Sequence, residues 1–197
     1  MTFKITRTAL IAAFAAGSLA TAAHASGDIA STSSALQDPV TVGGAPMYAN
    51  KTIVENAANS ADHTTLVTAV TAAGLAETLS GPGPFTVFAP TNAAFAKLPA
   101  GTVDTLVLPE NRETLTKILT YHVVPGRLAA ADVLAAIQAG GGSAALTTVS
   151  GDTLTASLRG DQVILTDEKG GVATVTQADV FQSNGVIHVT DTVSMPN

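Results

Sequence analysis

Three histidines, His63, His122 and His188, are the side chains best suited by type to acid–base work or metal ligation. No two of them stand in His-Glu-x-x-His or His-x-His spacing, which would bring two ligands to one face. Cysteine is absent, and no Gly-x-Ser-x-Gly stretch supplies a nucleophile elbow. His122 and His188 can meet only through the tertiary fold, and both are expected to lie inside apolar strands. Each reads most simply as a buried imidazole whose ring nitrogens bond backbone or hydroxyl groups. The sequence therefore assigns no catalytic residue, metal ligand or cofactor, and the chain reads as a non-enzyme. For His122 the expected partner is a hydroxyl or carbonyl at the Pro90-Thr91-Asn92 corner.

Arg159-Gly160-Asp161 carries a different chemistry. It lies between two short strand-like runs, at the tip of an expected hairpin, where an integrin-type receptor could reach it. Gly and Asp are also preferred turn residues for steric and hydrogen-bonding reasons, so a turn accounts for them without any receptor. Met47 and Met195 suit an adaptable groove for a hydrophobic small molecule. With no Trp, two Tyr and six Phe, an aromatic-lined pocket would be thin.

The elements that must position these residues follow a 25-residue leader. Lys4 and Arg7 precede an apolar, Ala-rich run, and Ala23-His24-Ala25 fits a small-x-small cleavage site. Cleavage between Ala25 and Ser26 predicts a secreted product, periplasmic or extracellular, with no stable membrane insertion. Residues 26–47 read as a flexible leader and 48–197 as one domain. The formal charge of −6 becomes −8 once Lys4 and Arg7 leave with a leader that holds no acid, which disfavours nucleic acid as a partner. With 46% hydrophobic and 12% charged residues, the chain can bury a sizeable core without disulfides.

Phe85-Thr86-Val87-Phe88-Ala89 alternates apolar residues onto both sides of a strand, which implies cover on both faces. Pro90 stops the ladder, and Thr91 or Asn92 caps a helix carrying Phe95. Helical periodicity marks Ile53–Ala57 (capped by Thr52), a helix from about Asp62 to a stop at Gly74, Glu110–Thr120, and Ala130–Ala139. From Ala144 the period changes to two, with short strands at 146–149, 153–158, 162–166, 172–176 and 186–193. The threonines of these strands, Thr147, Thr148, Thr153, Thr155 and Thr166, are expected to face solvent. Helices first and strands second argue an α+β fold.

Three blocks of this chain resemble the fasciclin (FAS1) domain family: Phe85 to Phe95, Tyr121-His122-Val123-Val124-Pro125-Gly126, and Asn184-Gly185-Val186-Ile187-His188-Val189-Thr190-Asp191. Their order and spacing also fit, and the similarity covers residues 45–196. The resemblance implies a twisted β-sandwich or wedge with helices packed along one edge. It implies structural roles for Phe85, Thr86, Val87, Phe88, Ala89, Pro90, Thr91, Asn92, Phe95, Tyr121, His122, Asn184, Gly185, Ile187, His188 and Asp191. It also implies adhesion or interaction with a protein or glycan at a cell surface or matrix. Because some fasciclin-like proteins bind carotenoids, it allows a second reading, a soluble carrier of such a ligand.

Overall fold

The computed structural model describes residues 39–197, so the leader and its cleavage site lie outside the described residues. Strand β3 (Phe85–Pro90) runs between β4 (Val123–Pro125) and β9 (Gly185–Thr190), and the three fasciclin-like blocks are thereby neighbours. Val87 and Ala89 join Ile187 and Val189 on one face. There they are covered by Ile53 of α1 (Ile53–Asn59), Leu66 and Val70 of α2 (Thr64–Ala73), and Leu115 and Leu119 of α6 (Arg112–Tyr121). Phe88 turns the other way and packs with Tyr121, Val124, Leu154, Ala156, Leu165 and Ala173. Val133 and Ile137 of α7 (Ala130–Ala139) close that second core. A strand apolar on both sides thus receives cover on both sides.

The sheet continues through β8 (Val172–Gln182), β7 (Gln162–Thr166), β6 (Thr153–Arg159) and β5 (Ser143–Thr147), in the order β4-β3-β9-β8-β7-β6-β5. Only β3 and β9 pair in parallel. Along β8 the register slips between Val175 and Gln177 and again between Gln177 and Val180, where Asp179 takes a φ of 59°. Bulges bend a strand and raise its twist. Here the sheet curls until its ends approach, and the Val149 amide beyond β5 donates to the Val123 carbonyl at 2.8 Å. The architecture is α+β: a strongly twisted, nearly closed sheet with most of its helices on one side, as the resemblance implies.

Shorter helices fill the connections: α3 (Ala76–Ser80), α4 (Asn92–Ala96) and α5 (Thr102–Leu106). Thr52 and Glu55 cap α1 reciprocally, and Gly74 ends α2 at a φ of 74°.

Three expectations change. The flexible leader does not extend to residue 47, because β1 (Val40–Val42) and β2 (Ala45–Met47) form a hairpin across Gly43-Gly44. Both glycines take positive φ, as a tight hairpin turn requires, and Val42 and Met47 are buried in the helix-side core. Second, the strand expected at 172–176 runs on through its bulges to Gln182. Third, Thr148 is buried, because it closes the β5–β6 turn through the Asp152 carbonyl at 2.9 Å.

Candidate functional site

The polar residues of the three blocks bind neighbouring elements of the fold. Thr86 donates to the Gly126 carbonyl (2.8 Å) and accepts from the Leu128 amide (2.9 Å), fixing the loop beyond β4. Thr91 caps α4 through the Ala94 amide. Helix α2 has no capping side chain of its own; Asn92 supplies one from across the fold, accepting from the Thr65 amide at 3.0 Å and donating to the Ala61 carbonyl at 2.8 Å. Asn92→Ala is expected to cost about 1 kcal/mol, the usual value of a lost cap, read as a lower urea midpoint with an unchanged slope.

Asn184 ties the turn before β9 to two helices at once. Its oxygen accepts from the Ile53 amide at the start of α1 (3.0 Å). Its nitrogen donates to the Leu79 (2.7 Å) and Gly81 (3.0 Å) carbonyls at the end of α3. Gly185 is required beside it, since a Cβ there would strike the Phe85 carbonyl. Asp191 accepts from the Thr174 amide (2.8 Å) and pairs with Lys97 (3.2 Å). Partial burial pushes its carboxyl up, but the Thr174 amide and Lys97 outweigh that and hold it below the usual range.

His122 does not tie to the Pro90-Thr91-Asn92 corner. Nor does it lie inside a strand: it is the C-cap of α6, one residue before β4, so its ring folds back onto its own helix, where Nδ1 meets the Ile118 carbonyl at 2.8 Å. Its Nε2 accepts from the Ser194 amide at 3.0 Å. A carbonyl oxygen can only accept, so Nδ1 carries the proton and the ring is neutral. His188 takes the opposite tautomer: Nε2 meets the Leu128 carbonyl at 2.8 Å, and Nδ1 accepts a long contact of 3.4 Å from the Asp179 amide. Its ring stacks on Phe88, with centroids 5.5 Å apart. His63 contacts the Ser60 hydroxyl at 2.9 Å through Nδ1, and its buried Nε2 lacks a partner among the described residues. Burial pushes all three imidazoles below their ordinary value of 6.5. Burial likewise pushes the Tyr121 hydroxyl up to about 12, and it donates to the Thr153 carbonyl.

Asp167, Asn56 and Asp179 have comparable positions that the sequence reading missed. Asp167 is buried and accepts from the amides of Lys169 (3.1 Å), Gly171 (2.6 Å) and Met195 (2.9 Å). Its placement at the head of Asp-Glu-Lys-Gly-Gly was the available signal, an aspartate folding its own turn. Asn56 is fully buried and bonds both backbone groups of Tyr48 as well as Gln182. Asp179 caps α7 through the Ala130 amide at 2.7 Å.

Two apolar cavities lie in the helix-side core. One, of about 30 Å³, is lined by residues including Ile53, Leu66, Val70 and Val123; the other, of about 20 Å³, receives His63. These have room for a water or two, against the several hundred Å³ typical of a small-molecule pocket. Met47 and Met195 do not share a groove, since Met47 belongs to the helix-side core and Met195 packs with Ala94, Ile118 and Val193. Among the described residues, no group of three or more His, Cys, Asp or Glu side chains is placed to hold a metal ion. No described helix is long and apolar enough to cross a membrane.

Arg159, Gly160 and Asp161 stand apart from all of this. Arg159 pairs with Gln162 across the end of the β6–β7 hairpin, leaving Gly160-Asp161 as a two-residue turn. All three residues are exposed. Gly160 takes a φ of 63°, and a Cβ placed on it would meet nothing within 4 Å.

A nearly closed sheet whose central strands are locked by these ties defines the fasciclin class. The fasciclin domain model matches residues 61–196, and the chain belongs to the fasciclin family. It is 53% identical over 145 residues to Protein sll1483 of Synechocystis sp., covering 74% of this chain and 73% of that protein. It is 38% identical over 145 residues to immunogenic protein MPB70 of Mycobacterium bovis, covering 71% of this chain and 66% of that one. The FAS1 domain pair of the insect cell adhesion molecule Fasciclin I matches with a TM-score of 0.52 and 24% identity. That match covers 64% of this chain and 42% of the other, and it shows the fold.

Proposed function

We propose that this chain is a secreted, non-catalytic interaction module that adheres to a cell surface or extracellular matrix through protein or glycan contacts. Fasciclin-domain proteins are typically extracellular or secreted, and their interactions are with proteins or matrix. One observation carries the reading: the polar side chains of the three family blocks are bonded inward, to backbone groups of α1, α2, α3, α4, α6 and the loop after β4. What the fold offers a partner is its outside, meaning hairpin tips and the hydroxyl-bearing strand positions at Thr147, Thr153, Thr155 and Thr166. The carrier reading gains no support from the two cavities, because a chain-like ligand would have to part α1 and α2 from the sheet.

A single domain adheres weakly unless copies are clustered, since avidity needs simultaneous contacts. Beads densely coated with residues 26–197 should retain cells or matrix fragments, and soluble chain should compete only at high concentration. Coated beads that retain no more than bare beads would refute the reading.

A further inference from the structure

We propose that segment 193–197 is an acid-released strap, latched by the neutral imidazole of His122 and freed when that ring takes up a second proton. The device goes beyond the interaction reading and does not depend on it.

The segment has no regular secondary structure, so side chains of other elements hold it down. Two consecutive amides carry the attachment. Ser194 donates to Nε2 of His122 at 3.0 Å, and Met195 donates to the Asp167 carboxylate at 2.9 Å. Val193 and Met195 pack with Ala94 and Ile118, and Lys117 donates to the Asn197 carbonyl. Just upstream, Lys97 binds Asp191 and the Thr192 hydroxyl, which places the hinge between Thr192 and Val193.

The first attachment depends on the charge of the ring. Nδ1 already donates to the Ile118 carbonyl, so the second proton goes to Nε2. There it turns an acceptor into a donor that faces the Ser194 N–H. Ser194 is buried, so its amide would be left without a partner. Asp167, on the neighbouring amide, is the charge that favours protonation. A charge-assisted bond from the new Nε2–H to that carboxylate competes with its bond to Met195. One proton thus opposes both attachments.

The other surroundings of the ring add no competing charge among the described residues. On α6 itself Tyr121 stands edge-on, with its hydroxyl on the Thr153 carbonyl, and Lys117 is turned to Asp152 and Asn197. The cavity beside His122 is lined from α1, α2, α3, β3 and β4 by apolar residues such as Ile53, Leu66, Leu79, Phe88 and Val123. With the strap down, burial holds the ring neutral against the pull of Asp167. With the strap lifted, Nε2 meets water and takes up protons near the ordinary 6.5. The docked form binds fewer protons, so docking is complete above about pH 6.5 and is lost as pH falls below it.

Proton–nitrogen correlation spectra of residues 26–197, followed from pH 7 to about 4.5, test this. The amides of 193–195 and 197 should move to the sharp, undispersed positions of a free chain, while Ile187 and Val189 of β9 keep their folded ones. His122→Gln offers a carbonyl oxygen that does not titrate and should keep the strap docked in acid. Ser194→Pro removes the donor and should free the strap already at pH 7, with β9 intact; it alters only the strap, so it decides the matter even if His122→Gln does not fold. Strap signals that stay folded in acid, or vanish only together with those of β9, overturn the proposal. So does a strap that is still released by acid in His122→Gln, or still docked at pH 7 in Ser194→Pro.

Discussion

Asn184→Ala is expected to lower the melting temperature by roughly 6–12 °C. The substitution removes three hydrogen bonds at once and leaves the Ile53 amide and the Leu79 and Gly81 carbonyls without their partner. At about 1 kcal/mol for each lost bond the cost is about 3 kcal/mol, and a domain of this size loses a few degrees for each. Asn184→Asp separates the two halves of the role. The carboxylate still accepts from the Ile53 amide, at the positive end of α1, but it presents an oxygen to two carbonyl oxygens where the amide had donated. It should therefore restore less than half of the loss. Circular dichroism melts of the three proteins check this; an Asn184→Ala midpoint within a degree or two of wild type would show that the tie carries no weight.

Between pH 7 and 5 the protein is expected to lose stability. Burial holds His63, His122 and His188 below the ordinary value of 6.5, while unfolded histidines take up protons near that value. In this window the unfolded chain binds more protons than the folded one, so stability rises with pH. It is fully present above about pH 6.5, falls as pH drops below that value, and levels off once pH passes beneath the folded-state values. Each ring contributes up to about 2 kcal/mol over this interval. The carboxylates act in a separate, lower window: Asp191 is depressed below 3.8, so its contribution is lost only as pH falls beneath that value. Urea unfolding at half-unit pH steps reads the effect, and His122→Asn should reduce the slope by the share of one proton. Stability that stays flat from pH 7 to 5 would mean that the rings titrate in the folded state.

The alternation through Phe85–Ala89, the turn at Asn184-Gly185 and the helical periods at 130–139 place the central strands and one whole helix from sequence alone. These signals are local, a strand period or a helix stripe, and need no knowledge of the partner element. The β1–β2 hairpin was hidden because its strands are three residues long, too short to show a period. The continuity of β8 was hidden by Gln177-Ala178-Asp179, where bulging breaks the alternation. The partners of His122 were illegible for another reason. Ser194 lies 72 residues away, and only the curl of the sheet brings the C-terminal segment under the end of α6. That the family blocks are structural could be stated from resemblance. Which backbone groups each block holds could not.

The central claim is that the polar groups of the three blocks are committed inward and leave recognition to the exterior. A long-range ¹H–¹⁵N spectrum of the histidine rings, followed with pH, tests it most directly. The account predicts opposite fixed tautomers, Nδ1–H on His122 and Nε2–H on His188, both neutral at pH 7 and unchanged through 6.5. Rings that average their tautomers and titrate together near 6.5 would contradict it.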